Sequence, residues 1–114
     1  MRTLNRSAVL VSPKQPFLDW LRSVDPSNLE LTMADVRGDP SVYLFPECNF
    51  DQELMEYLEA SCTEIFEQEL DSWDREKENW PEDRGFATFQ RWFEYSIHWM
   101  IFDMADERLV VEEM

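Results

Sequence analysis

Apolar positions along this chain recur at two periods, and the longer one dominates. From Asn49 to Trp73 they fall three and four residues apart, at Leu54, Leu58, Cys62, Ile65, Phe66, Leu70 and Trp73. That is one face of an α-helix, and no Gly or Pro interrupts the run before Pro81. At 1.5 Å per residue the predicted helix is roughly 30 Å long. Asn49 is the expected N-cap, with Gln52 three residues on completing a loose capping box. Asp51 and Glu53 suit the positive end of the helix dipole.

Shorter patterns flank this helix. Residues 1 to 6 read as a loose polar start. Ala8–Val11 is a brief apolar run closed by Ser12-Pro13, the pattern of a strand buried on both faces. Pro16 fits a first helical turn, where a missing N–H costs little. Phe17, Leu18, Trp20, Leu21 and Val24 then follow at helical spacing, and this helix ends near Asp25-Pro26. Residues 26 to 40 form a connection in which Thr32 and Asp35 cap one short helical turn and Arg37-Gly38-Asp39-Pro40 makes a tight turn. Ser41–Phe45 is a second strand, stopped by Pro46. Asp74–Asp83 is a charged connector with Trp80 as its anchor.

Gly85 caps a further helix, with Phe86, Phe89, Trp92 and Phe93 on one face. At Ser96 the period changes to alternation, Ile97, Trp99 and Ile101 against His98, Met100, Phe102 and Met104. This predicts a third strand, apolar on both faces and so central or well covered, with a continued helix as the competing reading. Arg108–Val111 is a short fourth strand or a tail. Each strand-to-strand connection is long enough for a crossover carrying a helix. The predicted architecture is a single α+β domain over residues 1–114: a two-layer sandwich with a small three- or four-stranded sheet. The long acidic helix and one or two further helices lie mainly on one face.

Composition sharpens this picture. Hydrophobic residues make up 44% of the chain and aromatic ones 14%, enough for a real core. Two glycines in all argue against a turn-rich all-β fold and against a glycine-rich phosphate loop. The formal net charge is −15, and residues 51–83 alone hold thirteen acids against Arg75 and Lys77, a net of −11. A phosphate backbone needs a basic footprint, so direct nucleic-acid binding is disfavoured, as is an anionic membrane surface. No apolar run approaches the roughly 20 residues that span a bilayer. Cys48 and Cys62 are the only cysteines. With too short an apolar stretch in MRTLNRSAVLV for a signal sequence, they read as free thiols of a cytoplasmic protein, Cys62 in the core.

The polar face of the long helix is the main candidate for function. Between residues 51 and 71 it carries Asp51, Glu53, Glu56, Glu59, Glu64, Glu67, Glu69 and Asp71 with no Lys or Arg. Like charges one turn apart cost about 0.2–0.5 kcal/mol each, and burial of the apolar face outweighs them. A solvated face kept negative for solubility is the plainer reading. The sharper one is a docking surface for a basic protein through Glu56, Glu64 and Glu67, with Trp73 or Trp80 as an aromatic anchor.

Catalytic chemistry finds less support. His98 is the only histidine, and a triad built on it with Cys48 or Cys62 and Asp103 has no supporting spacing. Glu94 and His98 stand four apart without the second histidine a carboxylate bundle site wants, and a Cys/His zinc site is excluded by count. No cofactor or metal set emerges.

Four runs, SPKQPFLDWL (Ser12–Leu21), PSVYLFPEC (Pro40–Cys48), EIFEQELDSW (Glu64–Trp73) and WPEDRGFATFQRWFEYSIHWMIFDM (Trp80–Met104), together resemble a family of short acidic bacterial conserved hypothetical proteins. The resemblance covers about Ser7 to Met104. It implies a bacterial cytosolic protein and brings no assigned activity and no functional residue. The function expected is therefore a non-enzymatic interaction or regulatory module. A small enzyme using carboxylates with His98, and a self-assembling structural protein, most simply a homodimer, are the alternatives.

Overall fold

The sheet is built outward from the Ala8–Val11 run. In the computed structural model, which describes all 114 residues, this run lies within β2 (Arg6–Pro13), after a two-residue strand β1 (Arg2–Thr3). Val9 and Val11 are buried under the helices and Ala8 is buried between its neighbours, but Leu10 is only half-buried, so the strand is covered on one face and not on both as expected. β2 is the central strand of a three-stranded sheet, antiparallel to β3 (Ser41–Pro46) on one side and to β4 (Phe93–His98) on the other. β3 and β4 therefore run in the same direction. The chain between them crosses β2 carrying α3 (Asp51–Asp71) and α4 (Phe86–Trp92).

Registers fix the two faces. One face aligns Tyr43, Val9 and Ile97 in a row, and Ser41, Val11 and Tyr95 in the next. Val9, Val11, Phe45 and Phe93 on this face join the buried cluster with the helices. The other face aligns Leu44, Ala8 and His98, then Val42, Leu10 and Ser96, and stays open, with Val42 and Leu44 more than half exposed. The fold is α+β, with helices on one face of a small sheet.

Helix α1 (Gln15–Val24) starts with Pro16 in its first turn and buries Phe17, Leu18, Trp20 and Leu21. Its end is satisfied locally: Asn28 Nδ2 donates to Leu21 O at 3.0 Å. Helix α2 (Met33–Arg37) carries the expected capping box, Thr32 N–H donating to Asp35 Oδ2 at 2.8 Å and Asp35 N–H to Thr32 Oγ1 at 3.3 Å. Helix α3 spans Asp51–Asp71, two residues shorter at each end than the pattern suggests. Asn49 is not its N-cap. Phe50 holds that position without a side-chain bond, and Asn49 N–H instead donates to Glu53 Oε1 at 3.1 Å.

The C-terminal third departs most from the expectation. α4 ends at Trp92 and β4 begins at Phe93 with no intervening loop. Lys14 explains the switch: its N–H donates to Trp92 O at 2.7 Å and its Nζ to Gln90 O at 2.8 Å, taking up carbonyls the helix end leaves free. Phe93 then pairs with Pro13. The predicted central strand over 96–104 is instead an edge strand that stops at His98. A separate strand β5 (Phe102–Asp103) pairs with β1, so the first residues are ordered rather than loose.

These two ladders form one ribbon with an offset. Between the pairs Thr3↔Phe102 and Ala8↔His98, the four residues Leu4–Ser7 stand against the three residues Trp99–Ile101. One extra residue breaks the pairing and reverses which side faces in. Arg2 ties the ribbon's end to the C-terminal segment through Asp103 Oδ2 (2.5 Å) and Glu107 O (2.7 Å). Arg108–Val111 is an exposed tail and adds no strand.

The connector ahead of α4 is pinned by indoles and by Asp83. Trp20 Nε1 donates to Asn79 O (2.8 Å) and Trp80 Nε1 to Asp74 O (2.7 Å) within the connector, and Trp80 packs against the core cluster and so anchors the connector as expected. Asp83 accepts from Thr88 Oγ1 at 2.6 Å and from Gly85 N–H at 3.0 Å. The Thr88 hydroxyl first, then the Gly85 amide, hold its carboxyl below the ordinary 3.8.

Two stability predictions follow from this packing. Phe66 is fully buried, its ring 5.1 Å from Phe93, 5.3 Å from Trp92 and 6.4 Å from Phe89. Phe66→Ala is expected to cost about 3–5 kcal/mol in urea unfolding, whereas Val42→Ala on the open sheet face stays within about 0.5 kcal/mol. Asp83→Asn tests the turn. A carboxyl with a depressed folded pKa stabilises the fold above its unfolded value of 3.8 and stops doing so as pH falls through the folded value. The wild-type advantage over D83N is therefore full at neutral pH, begins to shrink as pH falls past 3.8 and is gone only below the depressed folded value; a gap constant with pH would contradict this reading.

Candidate functional site

Helix α3 turns two different sets of acids in two directions. At about 100° per residue, Glu56, Glu64 and Glu67 lie within an arc of roughly 80°. Leu54, Leu58, Cys62, Ile65, Phe66 and Leu70 occupy the opposite side and are buried. Glu56, Glu59 and Glu64 are exposed and Glu67 is half-buried. This is the face the sequence singled out, with one exception. Glu69 belongs to the core side, only 8% exposed.

Glu64, Glu67 and Trp80 come together. With Gln68, Asp71 and Lys77 they line a shallow groove of about 260 Å³ where α3 meets the connector. Arg84 partly offsets the negative charge, its Nε 3.7 Å from Glu67 Oε1 and its guanidinium 5.9 Å from the centre of the Trp80 ring. Arg84 is held there by its own donation to Pro81 O at 2.7 Å and by Thr63 Oγ1 donating to Arg84 O at 3.0 Å. Glu56 lies farther along the same face, Gln52 Nε2 donating to its Oε1 at 3.4 Å. Trp73 does not join this groove. It follows the end of α3, 42% exposed, and lines a second cavity on the other side of the helix.

That second cavity holds what the sequence reading missed. It measures about 320 Å³ and lies between α2, the start of β3 and the C-terminal end of α3, with Asp35, Asp39, Ser41, Glu69 and Trp73 in its wall. Glu69 Oε2 accepts from Ser41 Oγ at 2.7 Å and from Tyr43 Oη at 2.5 Å. Burial, then the hydrogen bond and negative charge of Glu69, push the Tyr43 hydroxyl far above its ordinary value. A signal for Glu69 was present in the sequence: it sits four residues after Ile65 and three after Phe66, on the apolar period rather than off it.

The groups weighed for catalysis stand apart. His98 is exposed on the open sheet face, its ring Nε2 2.8 Å from Ser96 Oγ, and lines none of the four main cavities. Asp103 is committed to Arg2 and to Ala105 N–H. Cys48 and Cys62 are both buried free thiols. Cys48 Sγ donates to Pro46 O at 3.1 Å, and burial, followed by the neighbouring Glu53, pushes its thiol up, the reverse of an activated nucleophile. No three His, Cys, Asp or Glu side chains are grouped closely enough to hold a metal ion, and no helix is long and apolar enough to cross a membrane. In comparisons with known proteins, the chain matches no family model, no curated protein and no solved structure.

Proposed function

We propose that this chain is a non-enzymatic interaction module that docks a basic protein through the outward face of α3. Glu56 and Glu64 supply exposed negative charge, and Glu67 with the half-buried Trp80 forms the edge of the groove where a partner's side chain seats. The observation that carries this reading is that groove. It sets carboxylates that complement a basic side chain beside an indole, a residue type enriched at binding hot spots. Complementary charge steers encounter and selects against acidic partners, and the same charge keeps nucleic acids and anionic lipids away. The proposed surface leaves out Trp73 and consists of Glu56, Glu64, Glu67 and Trp80. A cytoplasmic setting and membership of the short acidic bacterial family belong to the same proposal. A homodimer is the second arrangement, through the open sheet face where Val42 and Leu44 are exposed.

The test begins with tagged protein retained against a bacterial lysate under graded salt. It continues with the recovered partner, purified, and the triple variant E56K/E64K/E67K. A basic protein that dissociates as salt rises, and binds the variant roughly tenfold or more weakly, is the expected result. Equal affinity for wild type and variant would sink the docking reading. Light scattering of the protein alone separates the homodimer: a monomeric mass at high concentration removes it.

A further inference from the structure

The cavity at the C-terminal end of α3 has a chemistry of its own. Glu69 is more than nine-tenths buried, yet no Lys, Arg or His pairs with it. Its Oε2 takes both available hydroxyls, from Ser41 and Tyr43, while Oε1 receives no hydrogen bond and is not a fully buried atom, so it is reached from the cavity. Buried carboxylates are ordinarily paired or bound to metal, because an uncompensated charge in a low-dielectric site is costly. The remaining wall adds to the demand for a cation. Asp35 and Asp39 stand on the far side, and the end of α3 contributes the negative pole of a 21-residue helix with no basic residue in its last turn. Trp73 lines the mouth with its indole partly in solvent and its Nε1 without a hydrogen bond.

These groups are too dispersed for a metal ion. They suit a larger, flat cation with several donors and a face that stacks on an aromatic ring, which describes a guanidinium better than an ammonium. We propose that the cavity formed by α2, the start of β3 and the end of α3 binds a guanidinium group. Glu69 Oε1 accepts its N–H groups, and the Trp73 indole covers its face. The acids at the rim repel a free amino acid's carboxylate, so arginine within a peptide is the favoured source. The cavity lies on the opposite side of α3 from the Glu64–Trp80 groove. It rests on the docking reading only in assigning the guanidinium to a partner protein.

The experiment is an NMR titration of the full chain, following the Trp73 indole N–H with N-acetyl-arginine amide, its neutral isostere N-acetyl-citrulline amide, and free arginine. The expected result is a saturable shift with the arginine amide and none with the citrulline amide. Glu69→Gln retains an acceptor for Ser41 and Tyr43, so the fold is kept, and it weakens binding about tenfold or more. Trp73→Ala, at an exposed position, weakens binding in the same direction, read on the backbone amides of Ser41 and Ser72. Weaker binding of free arginine assigns the site to peptide-borne arginine, and equal or tighter binding assigns it to a small molecule. No saturable shift, equal response to citrulline, or an undiminished response in E69Q overturns the proposal. Because E56K/E64K/E67K leaves this cavity untouched, the two surfaces fail or survive separately.

Discussion

Phe93 is the residue on which the arrangement turns. Its ring meets Phe17 of α1 at 5.4 Å, Phe66 of α3 at 5.1 Å and Phe89 of α4 at 5.1 Å. It is also the first residue of β4, paired to the central strand through Pro13. One side chain thus connects three helices to the sheet. Aromatic pairs at these separations gain about 0.5–1.5 kcal/mol each beyond area burial. Their larger effect is geometric: with Phe66 held against Phe93, α3 cannot rotate, and every other residue on it is assigned a direction.

That single orientation sorts the charge. Glu56 and Glu64 face water, where repulsion between like carboxylates is screened and cheap. Glu69 is carried inward by the same rotation that buries Phe66 and Leu70. It is tolerated there because β3 presents two hydroxyls, Ser41 and Tyr43, on the face that α3 packs against. The long acidic helix is therefore two electrostatic objects, a solvated surface and a solitary buried carboxylate.

Much of this was legible in the sequence, and the parts that were not share a cause. The period of α3, the capping box of α2, Pro16 at the start of α1 and the existence of β2 are local, and each is written within a few residues; that only one face of β2 is covered is not, because its cover comes from helices elsewhere in the chain. The switch from α4 to β4 at Phe93 depends on Lys14, far away in the chain, taking up the helix's last carbonyls. The offset in the N- and C-terminal ribbon is invisible in residues 93–104 taken alone. Their alternation runs on unbroken, while the extra residue lies in the other strand, between Leu4 and Ser7. Helical spacing puts Trp73 on the apolar face of α3, and it is expected beside Glu64 and Glu67 as an aromatic anchor, but the helix ends at Asp71 and the chain turns before reaching it.

The same distinction bears on which acidic group carries specificity. Exposed carboxylates attract any basic surface and lose their hold as salt rises. They set the rate of encounter more than its outcome. A carboxylate whose one free oxygen is reached only through a cavity is selective, since a ligand must fit that cavity and bring matching donors to bond it. If both surfaces engage a single protein, recognition divides accordingly: the outer face of α3 draws a basic partner in, and Glu69 discriminates among the side chains it presents. Net charge alone, however large, supplies only the first of these.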